Sequence, residues 1–214
     1  NGAQTLKGRG IVKGSLIMKM GSTLAPGNSV DTLSVDELVI SPGVKYEAEY
    51  ELSGGKLTAD QLVISGGTVN AVTTGGTVAP KVSGGKRLKD FNKYSAPILI
   101  ANSGWNQRFD SIVSTAVITS TLEYYKVGGA RMTDAELHSN IAAGSINMVL
   151  TRKPFQSVVS GAQRTQVARG LDLALSTSDV ALGTLIDAIS NAATPEQVAA
   201  ILDQLNPRVF GEIY

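Results

Sequence analysis

The sequence predicts a mainly β protein, a parallel β-helix with a C-terminal hairpin cap, followed by short α-helices. Three observations predict this fold. The segment 33–43 (Leu-Ser-Val-Asp-Glu-Leu-Val-Ile-Ser-Pro-Gly) returns as 57–67 (Leu-Thr-Ala-Asp-Gln-Leu-Val-Ile-Ser-Gly-Gly), at an offset of 24 residues. Glycine-containing turns separate short β-rich runs throughout residues 2–88. After Ser157 the apolar residues change to helical spacing.

The repeat indicates which kind of β fold to expect. A weaker copy, 16–21, aligns with 38–43 at an offset of 22 residues. A period of this size is typical of one coil of a parallel β-helix, whose inward Leu, Val and Ile side chains stack on those of the next coil. Asp36 and Asp60 occupy equivalent positions of the repeat, so we expect them to stack one coil apart. An antiparallel sandwich has similar strands and turns, but the close repeat favours the solenoid.

The strand predicted over residues 46–52 indicates which side of the repeat faces the core. Glutamate and mainly apolar side chains alternate along it, so one face is polar and the other apolar. A calcium or saccharide site is the secondary interpretation of the polar face. The outward residues are Glu47, Glu49 and Glu51, and the inward residues are Tyr46, Ala48, Tyr50 and Leu52.

Residues 89–156 break the period, and we expect them to cap the open strand edge that a solenoid leaves at its last coil. Thr133 and Glu136 have the spacing of a capping box, which predicts a helical turn. The predicted strands are 94–101, 117–127 and 146–150, and the last two are expected to pair. In the second strand, alternation places Leu122 on the same face as Ile118 and Ser120.

Three short helices are predicted after residue 157, which divides the chain into coils (1–88), a cap (89–156) and a helical linker (157–214). The second helix has Ser178 or Asp179 at its N-cap, and the third has Thr194 there, with Pro195 and Gln197 completing the start signal. Each helix has one apolar stripe that must pack on the β part, on another helix or on a partner. The stripe residues chosen as linker positions are Val167, Leu171, Leu185, Ile189, Ile201 and Leu205.

Residues that carry chemistry are sparse. The chain has no cysteine and a net charge of +1, which excludes disulfides and gives no basis for a nucleic-acid partner. A catalytic triad would need His138, the one histidine, which is expected in an exposed turn. A β-helical polysaccharide lyase would need clustered carboxylates, and Asp31, Asp36 and Asp60 are the set available in the coils. We interpret these aspartates as stacked turn residues and expect no enzyme activity, metal or cofactor.

Two further features concern charge and membranes. Lys81, Lys86, Arg87 and Lys89 are interpreted as a solvated loop cluster, because no aromatic residues flank them. No apolar run reaches the roughly 18 residues of a membrane-spanning helix. The start at Asn1 lacks the pattern of a signal peptide, so the chain is interpreted as a mature or excised piece.

A series of short motifs then supports a family resemblance. They are 21–29 (Gly-Ser-x-x-x-Pro-Gly-x-Ser), 41–49 (Ser-Pro-Gly-x-x-Tyr-x-x-Glu), 60–66, 98–104, 109–111, 148–155, 163–172 and 202–206 (Leu-Asp-Gln-Leu-Asn). In this order they resemble the C-terminal passenger stem of classical autotransporters, the type V secretion proteins. Two features depart from the family: Gln163 and Arg164 replace the commoner Asn and Gln, and residues 131–141 form a longer insertion.

The resemblance implies a right-handed, single-stranded parallel β-helix that ends in an autochaperone cap. The passenger would cross the outer membrane C-terminus first, and the cap would nucleate the stacking of the coils behind it. The helices would lead to an outer-membrane barrel, whose strands are missing here. The chain would then be a non-enzymatic structural and secretion module of the bacterial cell surface, or a secreted form of it. The expected nucleus is Leu99, Trp105, Phe109, Leu122, Met148 and Leu150.

The partners implied are the protein's own barrel and a host surface protein or glycan, and a homodimer of the isolated chain is a further expectation. An adhesin that binds a host ligand is the alternative function, and a polysaccharide lyase is the less favoured one. An exposed aromatic or carboxylate ladder would favour the adhesin. A face covered uniformly by Ser, Thr and Lys would favour a plain stem, and a groove of converging carboxylates would favour the lyase.

Overall fold

A computed structural model describes residues 4–66, 73–83, 86–102, 107–138 and 143–205. Strands account for 45% of the structure and helices for 21%, which confirms the mainly β class. The strands are β1 (Thr5–Gly8), β2 (Gly10–Met18), β3 (Thr23–Pro26), β4 (Thr32–Ile40), β5 (Lys45–Ser53), β6 (Lys56–Ala59), β7 (Gln61–Ile64), β8 (Thr73–Thr74), β9 (Thr77–Val82), β10 (Lys93–Ala101), β11 (Gln107–Arg108), β12 (Ser111–Ile112), β13 (Ile118–Lys126) and β14 (Gly144–Arg152). The helices are α1 (Ala162–Leu173), α2 (Val180–Ser190) and α3 (Pro195–Gln204).

Strands that are distant in the sequence pair in parallel. One sheet has the order β1-β3-β5-β9-β12, with β6 added to β5, and a second has the order β13-β14-β10-β7-β4-β2. The pairs β1–β3, β3–β5, β5–β9, β9–β12, β2–β4, β4–β7 and β7–β10 are parallel, as is the separate pair β8–β11. Parallel neighbours require long connections, so each sheet is assembled from separate stretches of the chain.

The offset of 22 residues between 16–21 and 38–43 is confirmed by the register of β2 and β4. Leu16 lies opposite Leu38, and Met18 lies opposite Ile40. Met18, Leu38 and Ile40 are buried, whereas Leu16 is half-buried. This copy of the repeat therefore marks strands that are true neighbours.

The offset of 24 residues between 33–43 and 57–67 is wrong as a register. Leu33 lies opposite Leu62, and Val35 lies opposite Ile64. The antiparallel hairpin of β5 and β6 lies between β4 and β7 and lengthens the path between them. The expected stacking of Asp36 on Asp60 is therefore also wrong.

The strand predictions for the later part of the chain are confirmed. β10 and β14 cover the predicted segments 94–101 and 146–150, and β13 covers 117–127 except for one residue at each end. β13 neighbours β14 as expected. The Thr133–Glu136 capping box forms: the Thr133 N–H donates to Glu136 Oε2 at 2.9 Å, and the Glu136 N–H donates to Thr133 Oγ1 at 3.4 Å. It precedes a single 3₁₀ turn, Glu136–His138.

The three predicted helices are confirmed, together with two of their N-caps. The Asp179 side chain accepts from the Leu182 N–H, and the Thr194 side chain accepts from the Gln197 N–H. α1 begins at Ala162 rather than at Ser157, because Gly161, at φ +94°, interrupts the helical backbone before it. None of the described helices is long and apolar enough to cross a membrane.

The chain divides into two compact units. The first consists of Asn1–Lys86, Tyr94–Val113 and Ser120–Val149, and the second of Arg87–Lys93, Ser114–Thr119 and Leu150–Tyr214. The second unit contains the three helices. The division into 1–88, 89–156 and 157–214 stays a prediction.

Candidate folding nucleus

Tyr46 is a core residue of the first unit. Its side chain is fully buried, as the alternation along β5 predicts, and its hydroxyl donates to the Ile98 carbonyl of β10 at 2.7 Å. Burial raises the pKa of Tyr46 well above its ordinary value, because the ionised phenolate would lie in an apolar core. Since β5 and β10 belong to different sheets, this hydrogen bond links the two sheets through the core.

Phe109 packs directly on Tyr46. The ring centroids are 5.2 Å apart and the ring planes are inclined by 51°, within the range of favourable aromatic pairs. Phe109 is 5% exposed and lies in the short segment between β11 and β12. The predicted nucleus residue Phe109 therefore contacts a residue that the sequence did not suggest for that role.

Leu99 and Met148, two other predicted nucleus residues, are both fully buried in the first unit. Leu99 lies opposite Leu62, which in turn lies opposite Leu33, so the three leucines form a row across β10, β7 and β4. Such a row buries each side chain against its equivalents in the neighbouring strands.

The remaining three predicted nucleus residues differ from this pattern. Leu122 is only half-buried, because the buried positions of β13 pass from Ser120 to Glu123 and the alternation slips by one residue. Leu150 is fully buried but belongs to the second unit. Trp105 lies outside the described residues.

Arg108 is a buried cation that the sequence analysis missed. Its Nε donates to the Leu137 carbonyl at 3.0 Å, and its guanidinium lies 5.4 Å from the centre of the Tyr124 ring. Burial lowers the pKa of Arg108 and raises that of Tyr124. Arg108 therefore ties the insertion that precedes β14 to β13. The only sequence signal was the position of a basic residue next to the predicted nucleus residue Phe109.

The outward glutamates of β5 form a ladder, as predicted, but lysines pair with every step of it. Lys81 Nζ lies 3.1 Å from a Glu47 oxygen and 2.9 Å from a Glu49 oxygen, and Lys86 Nζ lies 2.6 Å from a Glu51 oxygen. Lys45 also contacts Glu47, and its hydrogen bond is the main cause of the lowered pKa of that carboxyl. The ladder is a network of ion pairs rather than an open set of acidic ligands.

The expectation of a solvated loop cluster at Lys81, Lys86, Arg87 and Lys89 is wrong for two members. Lys81 belongs to β9. Arg87 is 8% exposed, and its guanidinium contacts both carboxylate oxygens of Asp187 in α2, at 3.1 and 3.2 Å. Both are held by carboxylates distant in the sequence, which composition alone does not reveal.

The three aspartates considered for a lyase site do not converge. Asp60 is 1% exposed and lies beside Asp31, whereas Asp36 accepts hydrogen bonds from the Gly14 N–H and the Ser65 hydroxyl. The described residues contain no group of three or more His, Asp or Glu suited to a metal ion. The side chain of His138 lies outside the described part of the chain.

A shallow pocket of about 410 Å³ lies on the outer side of β10 and β14. Asn102, Ser145 and Asn147 supply polar groups, and Pro97 and Ile100 supply apolar surface. None of the described residues that line it is aromatic, so this part of its lining offers no flat platform on which a sugar ring would stack.

In the second unit, two arginines fix α2. Arg87 binds Asp187, and Arg152 Nη1 donates to the Ser190 hydroxyl at 2.9 Å while its guanidinium lies 4.4 Å from the Phe155 ring centre. Of the predicted stripe residues, Leu171 and Ile189 are buried, and the half-buried ones are Val167, Leu185, Ile201 and Leu205. Sequence periodicity found the stripes but not these polar anchors.

Comparisons of the chain with family models, with curated proteins and with solved structures gave no match.

Proposed function

We propose that the chain is a non-enzymatic structural and secretion module of an autotransporter passenger. In this proposal it nucleates passenger folding at the bacterial cell surface and connects the passenger to its own outer-membrane barrel. The observation that carries the proposal is the buried contact of Tyr46 with Phe109 and with the Ile98 carbonyl of β10, which links the two sheets through the core. The motif order in the sequence adds the family resemblance.

The fine architecture in this proposal is a right-handed, single-stranded parallel β-helix. The parallel pairing of β2, β4, β7 and β10 in one sheet and of β1, β3, β5 and β9 in another supports it, since successive coils would contribute one strand to each sheet. β13 and β14 would form the hairpin cap at the end of the second sheet. The helices α1 to α3 would be the linker toward the barrel.

The two alternative functions find less support in the same geometry. The carboxylate ladder that would favour an adhesin is paired with lysines, and the pocket at β10 and β14 has no aromatic lining among the described residues. The aspartates that would favour a lyase include Asp60, which no substrate can reach at 1% exposure. A host protein or glycan remains a proposed partner of the whole passenger. A second copy of the chain remains a proposed partner of the isolated chain, which would bury the apolar stripes of its helices against that copy.

The test compares two fully buried leucines, Leu99 in β10 and Leu24 in β3. Leu→Ala at either site should destabilise the chain by about 2–5 kcal/mol, because each leaves a cavity. We call the part of the second sheet that contains β10, next to β13 and β14, the β10 end. If the β10 end nucleates folding, Leu99→Ala should slow refolding, with a φ-value of roughly 0.5–0.8. Leu24→Ala should instead mainly accelerate unfolding, with a φ-value of roughly 0–0.3.

Stopped-flow refolding and unfolding in urea give both rates for each variant. Because the two substitutions remove the same atoms from equally buried sites, a difference in refolding rate reports position and not chemistry. Equal φ-values, or a higher φ-value at Leu24, would contradict nucleation at the β10 end and with it the proposed function.

A further inference from the structure

Asp60 is a buried carboxylate at a junction of three chain segments. It follows the hairpin of β5 and β6 directly and is 1% exposed. Its Oδ1 accepts from the Asp31 N–H at 3.0 Å, and its Oδ2 accepts from the Glu49 N–H at 3.1 Å. The Asp60 N–H donates to the Glu49 carbonyl, and the Gln61 N–H donates to the Asp31 carbonyl. One side chain therefore joins the hairpin to the segment that precedes β4.

The close approach of Gly27 shows how tightly this junction is packed. A Cβ atom on Gly27 would lie 2.5 Å from Asp60 Oδ1, and Gly27 has a φ of +85°. Only glycine can bring its backbone this near to the carboxylate. The tight enclosure keeps solvent from the charge of Asp60.

The charged and titratable groups that face Asp60 come from each neighbouring segment. Lys7 of β1 is the facing cation, Glu49 and Tyr46 of β5 face it from the hairpin, and Asp31 lies beside it with its own carboxylate paired to Arg9 at 3.3 Å. Lys7 is itself 3.9 Å from Glu49. The two neighbouring carboxylates thus already have cationic partners, whereas Asp60 depends on two backbone N–H groups.

We propose that Asp60 is a proton-sensitive clasp between the β5–β6 hairpin and the segment before β4, so that the fold built around it resists unfolding better in mild acid than at neutral pH. This device is independent of the secretion role proposed above. It requires only that the buried carboxylate gain a proton while its enclosure stays intact.

The direction in which stability changes with pH follows from proton linkage. Burial raises the pKa of Asp60 from 3.8 to about 6, although the N–H groups of Asp31 and Glu49 oppose the shift. The folded chain therefore binds this proton more tightly than the unfolded chain, so its stabilising effect is complete below pH 3.8 and is lost as the pH rises through about 6. For this group the unfolding equilibrium constant should be about tenfold smaller at pH 5 than at pH 7.5.

The experiment measures urea unfolding of the full chain at pH 5 and pH 7.5 for the wild type, Asp60→Asn and Asp36→Asn. In Asp60→Asn, the roughly tenfold decrease of the unfolding equilibrium constant from pH 7.5 to pH 5, the acid effect, should be lost. Asp36→Asn should keep it, because Asp36 is a partly exposed carboxylate that also accepts a backbone N–H but has a lowered pKa. The variants are compared by the ratio of their unfolding equilibrium constants at pH 5 and pH 7.5. The stability at a single pH is not used, because the asparagine amide replaces one of the two acceptors and changes the stability at both pH values.

A second measurement covers the case in which Asp60→Asn does not fold. The carboxyl carbon of Asp60 and the amide groups of Asp31 and Glu49 are followed by NMR in the wild-type chain from pH 4 to pH 8. A common titration near pH 6 supports the clasp. Titration of the carboxyl at its ordinary pKa, or an Asp60→Asn variant that keeps the full acid effect, would overturn it.

Discussion

At the scale of single residues, Tyr46 stands out because it combines a large apolar ring with one buried polar atom. Its hydroxyl has the Ile98 carbonyl as partner, and its ring packs on Phe109. Tyr46→Phe keeps the ring and leaves the Ile98 carbonyl without this donor. We expect a loss of about 1–3 kcal/mol in the free energy of unfolding, measured by urea titration.

The matched control for that loss is Tyr125→Phe. Tyr125 is half-buried, and its hydroxyl donates to Glu123 Oε2, whose carboxylate also has Arg131 within 3.6 Å. Removing this hydroxyl leaves the acceptor with a cationic neighbour, so the cost should be smaller than at Tyr46. An equal loss in the free energy of unfolding at Tyr125 and Tyr46 would mean that the hydrogen bond between the sheets stabilises the chain no more than the one at Tyr125.

Residue-scale features were only partly predictable. Alternation along β5 placed Tyr46 inside correctly, because a period of two follows from the strand backbone itself. The acceptor of its hydroxyl lies 52 residues away, and nothing in the local pattern encodes that distance. Arg87 and Arg108 were missed for the same reason: their partners Asp187 and Leu137 lie far along the chain.

At the scale of elements, the β5–β6 hairpin decides the register of the second sheet. Ser53 pairs with Lys56, so Gly54 and Gly55 form a two-residue loop, with φ values of +57° and +75°. Positive φ at both positions is the requirement of a type I′ turn, which favours Asn or Gly at the first and Gly at the second. A Cβ on Gly54 would meet no atom within 4 Å, so conformation and not space limits substitution there.

Two substitutions at Gly54 test this turn. Gly54→Asn should raise the free energy of unfolding by about 0.5 kcal/mol, because asparagine tolerates positive φ and restricts the unfolded chain. Gly54→Val should lower it by more than about 1 kcal/mol, because a β-branched residue is strained there. Thermal unfolding of both variants measures the difference, and equal effects would exclude a type I′ turn.

The same hairpin explains why the strongest repeat misled the register. β4 contains two inward pairs, Leu33 with Val35 and Leu38 with Ile40, and β7 offers one, Leu62 with Ile64. Either pairing buries two apolar side chains, so the hydrophobic pattern accepts both registers. In the structure β7 pairs with Leu33 and Val35. Helix starts were predictable, by contrast, because caps such as Asp179 and Thr194 act within three residues.

At the scale of the whole chain, burial changes along the parallel sheets of the first unit. Leu6 and Val12 in the edge strands β1 and β2 are half-buried, whereas their neighbours Leu24 and Val35 are fully buried. In β10, Ile98 and Leu99 are also fully buried. Because an array of neighbouring strands gains stability from each contact, growth should start at the buried β10 end and proceed toward β2.

That direction gives a test of export, which needs the chain fused upstream of an autotransporter barrel in a bacterial outer membrane. Phe109→Ala removes a side chain that is 5% exposed and packs on Tyr46, and Phe91→Ala, at 45% exposure, is the matched control. The buried truncation should cost about 3–5 kcal/mol and sharply reduce the amount of protease-resistant passenger on intact cells. Phe91→Ala should leave display unchanged.

Two readouts separate loss of folding from loss of the barrel. Heat-modifiable migration of the barrel in gels reports its insertion, and protease digestion of intact cells reports the folding of the exported chain. If Phe109 belongs to a nucleus that drives export, its truncation affects the second readout while the first stays normal. Unchanged, protease-resistant display of Phe109→Ala would argue against this role. Failure of the wild-type fusion to reach the surface, beside a barrel that inserts normally, would argue against the secretion function itself.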